Sequence, residues 1–190
     1  MPFFAIPCAK SALKRMGKTP AKCELAVVSN RADLLMTMLG LIEDDQHKDI
    51  NSMLILTGKH LDGLARRTER VFDETGLDIR LAPISKEYIR LADAVICDSS
   101  ACEGFDYAFK KSAVYVSLDG NREPLEKLVH KRPDMTFVSS CSVFWHGRYI
   151  TLCELERLLG SDAVSCRKLK QLKLSPHVHA NRKNLTLPNA

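Results

Sequence analysis

The stretch Leu91–Leu118, LADAVICDSSACEGFDYAFKKSAVYVSL, decides how this chain is read. Two short apolar runs, Ala94-Val95-Ile96-Cys97 and Ala113-Val114-Tyr115-Val116, flank a polar turn of Asp98, Ser99 and Ser100. The segment after that turn, Cys102 to Lys111, is long enough for about three helical turns. Apolar runs of this length, bounded by turn residues, suit strands buried on both faces, as in a parallel sheet covered by helices. The stretch therefore predicts one βαβ unit. In such sheets ligands bind beyond the carboxyl ends of the strands, and that end carries Asp98, Ser99 and Ser100 just ahead of the expected helix start. Backbone N–H groups and a positive dipole end favour an anion there, and two small hydroxyls allow close approach, which points to a phosphate or diphosphate. The same serines are good helix caps, so capping without a ligand stands beside that reading.

Working outward, the same alternation repeats. Glu24–Ser29 and Met53–Thr57 read as buried strands, Leu77–Leu81 and Met135–Val138 as further ones, and Tyr149-Ile150 as an edge strand. Between them lie helical patterns over Arg31–Ile42, whose Leu34, Leu35, Met38, Leu41 and Ile42 form an apolar stripe, and over Leu61–Glu74, which ends at Gly76. Short helices are expected over Lys86–Leu91, Glu123–His130 and Cys153–Leu159, the last capped by Thr151. Strands alternating with helices give an α/β fold: a single Rossmann-like layer with a mostly parallel sheet flanked by helices. At 190 residues, 45% of them hydrophobic and 27% charged, the chain has room for one such domain and a proper core.

The net charge of +5 is unevenly placed. Eleven of the 28 basic residues lie in two acid-free ends, residues 1–22 and 167–190, so the stretch between holds 17 against 23 acidic residues. The expected organisation is a basic N-terminal arm over 1–22, a Rossmann-like domain over 23–160, and a basic, largely disordered tail over 161–190. Such ends suit an anionic membrane surface or nucleic acid, or are solvated tails. Met1–Lys18 is also partly amphipathic, as a transit peptide or a surface-lying helix would be. No apolar run approaches the roughly 18 residues that span a bilayer. Seven cysteines at 8, 23, 97, 102, 141, 153 and 166 contain no CxxC pair, so neither a disulfide framework nor a zinc site is expected. The expected setting is a reducing, cytoplasmic one, peripheral to the membrane should the basic ends bind its surface. No metal and no cofactor is expected, His177 and His179 being only a loose pair.

Three strand ends carry polar groups that share one rim in a parallel sheet: Gly58-Lys59-His60, Asp98-Ser99-Ser100 and Asp119-Gly120-Asn121. Lys59 offers a point charge to a phosphate and His60 a proton near neutral pH, while a helix-capping surface histidine is the bland alternative.

The run Ala92-Asp93-Ala94-Val95-Ile96-Cys97-Asp98-Ser99-Ser100, then Phe105-Asp106-Tyr107-Ala108, Lys111 and Val114-Tyr115, resembles the donor-nucleotide half of bacterial CDP-glycerol glycerophosphotransferases. More loosely it resembles the C-terminal domain of two-domain glycosyltransferases and UDP-N-acetylglucosamine epimerase. This resemblance implies that the Asp-Ser-Ser turn receives a donor diphosphate and that a second polypeptide supplies the acceptor site. Asp98-Ser99-Ser100 followed by Gly104 and an acidic helix is also similar to the nucleoside deoxyribosyltransferase group, which implies that Glu103 or Asp106 acts at a sugar C1. The candidate substrate-binding residues are Lys59, Asp98, Ser99, Ser100 and Gly104, and the candidate catalytic residues His60, Glu103 and Asp106. The expected ligand is a nucleotide-diphosphate-linked small molecule. A non-catalytic interaction module with basic ends is the third reading.

Overall fold

The computed structural model describes residues 2–43, 49–58, 62–118, 122–151, 154 and 174–180. Lys59, His60, the Asp119–Asn121 turn and most of the helix expected over 153–159 lie outside them.

Strands β1 (Leu25–Val28), β2 (Ser52–Leu56), β3 (Asp78–Ala82), β4 (Ala94–Cys97), β5 (Val114–Ser117) and β6 (Thr136–Trp145) form a six-stranded parallel sheet in the order β3-β2-β1-β4-β5-β6. The order reverses between β1 and β4, which is the switch point of a doubly wound sheet. Two antiparallel strands complete it, β7 (Arg148–Thr151) and β8 (Leu174–Ala180), both on β6. The fold is the expected Rossmann-like α/β layer.

Each central strand is buried along its whole length because its alternate side chains serve two separate cores. Leu25, Val27, Met53, Ile55, Ala94, Ile96, Val114 and Val116 face one layer, formed by α1 (Pro2–Arg15), α2 (Ala32–Leu41) and α3 (Asp62–Thr75). Ala26, Val28, Leu54, Leu56, Val95, Cys97 and Tyr115 face the other, formed by α4 (Lys86–Ile89), the β4–β5 crossover and α5 (Arg122–Lys131). Gly76, at φ +74°, ends α3 by donating its N–H to the Phe72 carbonyl at 2.7 Å, the left-handed cap expected there. Thr151 and Glu154 make a capping box: the Glu154 carboxylate accepts from the Thr151 N–H at 2.7 Å, and the Glu154 N–H donates to the Thr151 hydroxyl at 3.2 Å.

Three features differ from expectation. Residues 2–22, expected as an arm, are part of the packed domain. Phe4, Ile6, Cys8, Ala9, Ala12 and Leu13 are buried, and α1 lies across β4, β5 and β6. Its basic residues are partly neutralised in place, Lys14 by Asp49 at 3.4 Å and Lys18 by Asp93 at 3.3 Å. Next, within the tail expected to be largely disordered, residues 174–180 form β8, which follows β6 from Thr136 to Val143 with a register shift between Val138 and Ser140. Finally, Cys102–Lys111 is not a helix. Ala101 donates its N–H to the Asp98 carbonyl, Phe105 to that of Cys102 and Ala108 to that of Phe105, so the crossover is a chain of tight turns. Gly104, at φ +80°, breaks any helical run, and the Asp98 side chain competes for the Ser100 amide, as short polar side chains do.

Candidate functional site

At the switch point the ends of β1 and β4 diverge, and their loops are tied by one buried carboxylate. Asp98, only 5% exposed, accepts from the Ser29 hydroxyl at 3.4 Å, and from the Ser100 hydroxyl at 3.0 Å and amide at 3.4 Å. The Ser29 oxygen in turn accepts the Arg31 N–H at 3.1 Å. These neutral donors offset the cost of burying the carboxylate. On the other side of β1, the Asn30 side-chain oxygen accepts the Gly58 N–H at 2.8 Å, joining the β1 and β2 loops.

A Rossmann-like sheet raises the question of a dinucleotide, and the β1–α2 turn answers it. Dinucleotide sites place glycines there so that the pyrophosphate reaches the backbone and the helix start. Here the turn reads Ser29-Asn30-Arg31-Ala32-Asp33, with no glycine. Asp33 stands in the first turn of α2, and the hydrogen bond from Arg31, at 2.7 Å, holds its carboxyl below the usual range. An ionised side chain thus already occupies the positive end of the helix. The residues do not fit a dinucleotide bound across this crevice.

A cleft of about 640 Å³ opens instead on the second face of the sheet, between the crossover and α5. Its rim carries hydroxyls (Ser99, Ser100), carboxylates (Glu103, Asp106, Glu123) and two ammonium groups (Lys127, Lys131). Its floor is apolar, with Phe109, Tyr115 and Leu128 buried. The Phe109 and Tyr115 rings meet edge to face at 5.7 Å, which fixes that floor. Lys127 and Lys131 are one turn apart on α5; Lys127 pairs with Glu123 at 2.7 Å and Lys131 with Asp106 at 2.6 Å. Both pairs are exposed, so each is weak and open to exchange with a ligand.

Because the crossover has no helix of its own, side chains hold it in place. The Arg132 guanidinium donates to the carbonyls of Asp106 at 2.7 Å and Phe109 at 3.0 Å, and is anchored by Asp134 at 2.7 Å. At the other end Cys97 and Cys102 form a disulfide, contrary to the expectation that none is encoded. Their five-residue separation across a strand end was the only signal for it. Lys86 lies over the Tyr107 ring at 4.8 Å and fastens the middle of the crossover to α4.

Ser99, Ser100, Glu103, Gly104 and Asp106 therefore share one cleft, and Asp98 sits behind Ser100. Lys59 and His60 lie outside the described residues. Asp106 pairs with Lys131, and Glu103 and Asp106 stand on turns and not on the helix expected to carry them. Sequence reasoning passed over Ser29, Asn30, Lys127, Lys131 and Arg132. The four-residue spacing of Glu123, Lys127 and Lys131 was the available signal for the far wall of the cleft. Among the described residues no cluster of His, Cys, Asp or Glu is placed to hold a metal ion, and no helix is long and apolar enough to cross a membrane.

No family model and no curated protein matches the chain. Among solved structures it is similar to Thermococcus litoralis Δ1-pyrroline-2-carboxylate reductase in complex with NADH and L-proline, at 13% identity over 60% of this chain and 36% of that one, with a TM-score of 0.41. It is also similar to Mycobacterium tuberculosis shikimate dehydrogenase, at 14% identity over 69% of this chain and 47% of that one, with a TM-score of 0.44. The chain spans less than half the length of either protein, and at these values neither match bears on its chemistry. The resemblance to glycerophospho- and glycosyltransferases and to deoxyribosyltransferases is corrected: no model of those families matches the chain, neither of these two structures is of those families, and the helix the resemblance requires after Ser100 is a chain of turns.

Proposed function

We propose that this chain is a Rossmann-like binding domain for a nucleotide-linked small molecule, seated in the cleft beside the carboxyl end of β4. The observation that carries the reading is the convergence of Ser99, Ser100, Glu103, Gly104 and Asp106 with Lys127 and Lys131 around one apolar floor. The cleft has the volume of a small-molecule site. Its rim suits a ligand with two kinds of polar group. Lysines and serine hydroxyls accommodate phosphate oxygens, while carboxylates accept hydrogen bonds from sugar hydroxyls. Three carboxylates against two ammonium groups disfavour inorganic phosphate alone, so the sugar and base supply part of the affinity.

A thermal-shift screen with CDP, UDP, ADP, their sugar or alditol conjugates, NADH and inorganic phosphate tests this. A ligand that binds only the native state at about a hundred times its Kd stabilises by about 2.7 kcal/mol. The expected result is a raised melting temperature with at least one nucleoside diphosphate or conjugate, none with inorganic phosphate, and loss of the shift in the Ser99→Ala/Ser100→Ala variant. No shift with any nucleotide at millimolar concentration, or an equal shift in the variant, would remove the site.

A further inference from the structure

The Cys97–Cys102 disulfide joins the buried end of β4 to the wall of the cleft. Both are buried: Cys97 is fully enclosed, and Cys102, 5% exposed, is the one of the two that lines the cleft. We propose that this pair is an exchangeable redox couple, opened from the cleft by attack of a small-molecule thiol on Cys102. This inference does not depend on the nucleotide reading, since it concerns the sulfur atoms alone.

Three observations point this way rather than to a fixed crosslink. The bridge spans a sequence separation of five, and closing so short a loop restricts the unfolded chain less than a long-range crosslink would. Cys102 stands on a segment held by isolated turn bonds, not by a helix or a ladder, so Cys102 can shift when the bond opens. The rest of the crossover stays anchored meanwhile, because Arg132 grips the Asp106 and Phe109 carbonyls independently of the sulfurs. Cys8 and Cys23, which are not disulfide-bonded, do not line the cleft, and burial together with nearby Asp93 pushes the Cys23 thiol up, away from the reactive thiolate.

The chemistry closes with two thiols of the glutathione class. The first, as thiolate, attacks the Cys102 Sγ. A mixed disulfide forms on Cys102, the Cys97–Cys102 bond breaks, and Cys97 leaves as a thiolate that takes a proton from solvent. The second thiolate attacks the small-molecule sulfur of the mixed disulfide. It releases the oxidised small-molecule disulfide and leaves Cys102 as a thiolate. The protein bond is reduced by two electrons and two small thiols are oxidised to one disulfide. Reduction frees Ser99, Ser100 and Ala101 from their covalent tether, so the rim of the cleft loosens.

The test uses the full-length folded protein, equilibrated in glutathione buffers of graded reduced-to-oxidised ratio. The samples are quenched in acid, alkylated and digested, and the peptide bearing both cysteines is read by mass spectrometry. The expected result is reversible conversion of that peptide between the disulfide and the doubly alkylated form, with the far-ultraviolet circular dichroism unchanged. With oxidised glutathione, Cys97→Ser should carry one glutathionyl group on Cys102, and Cys102→Ser none on Cys97. A disulfide that persists at every ratio until denaturant is added would overturn the proposal, as would two free thiols in the most oxidising buffer or an adduct on Cys97. The wild-type titration alone decides the matter should either serine variant fail to fold.

Discussion

Asp93, at the amino end of β4, is held between two lysines. Its burial opposes the charged form. The hydrogen bonds from Lys110, at 2.7 Å, and from the Glu24 N–H, at 3.2 Å, together with Lys18, outweigh that cost and hold its carboxyl below the usual value. Because the folded value lies below 3.8, this contribution is complete above pH 3.8 and is lost as the pH falls through the folded value. Asp93→Asn should therefore lose on the order of 1–3 kcal/mol near neutral pH and much less in strong acid, as chemical denaturation at the two pH values would show. Equal losses at both would contradict the account. Arg132 has the corresponding role at the cleft. Its replacement by Met leaves the Asp106 and Phe109 carbonyls without that donor, and should cost on the order of 1–3 kcal/mol while weakening ligand binding. Neither clamp was legible in the sequence, since each joins residues far apart along the chain. Asp98, Ser99 and Ser100 were legible because a polar turn directly follows a buried strand.

At the scale of elements, the sequence separates strand from helix well wherever apolar periodicity is the main signal. The β1, β2, β4 and β5 runs and the α2 stripe are found where they are expected. It misleads where another signal dominates. In α1 the lack of acids drew attention to charge, although Phe4, Ala5, Cys8, Ala9, Ala12 and Leu13 recur at helical spacing and form the buried stripe. Leu13, fully enclosed between α1 and the sheet, should cost about 2–5 kcal/mol on truncation to Ala, and a chain lacking residues 2–15 should fail to give a cooperative unfolding transition. A truncated chain that melts like the full one would restore the arm reading. In the crossover, length suggested a helix. Gly104 and the side-chain bonds of Asp98 and Ser100 chose turns instead. β8 has no periodicity to betray it, because it is a strand only by virtue of the open edge of β6.

For the whole molecule, the strand order places the reversal between β1 and β4, and the two sides of that reversal are built differently. On the β1 side Asn30 is tied to the β2 loop and Asp33 stands in the first turn of α2, whereas the β4 side leads into an open cleft. The parallel layer was legible from alternation alone, but this asymmetry was not, since it depends on which loops meet in space. The proposed nucleotide-linked ligand would therefore lie against the crossover and α5 and not over the start of α2. Hydrogen–deuterium exchange of the full chain, with and without the nucleotide giving the largest thermal shift, measures this directly. The account predicts added protection over residues 98–109 and 123–131, with residues 29–35 unchanged; protection confined to 29–35, or spread evenly through the chain, would contradict it.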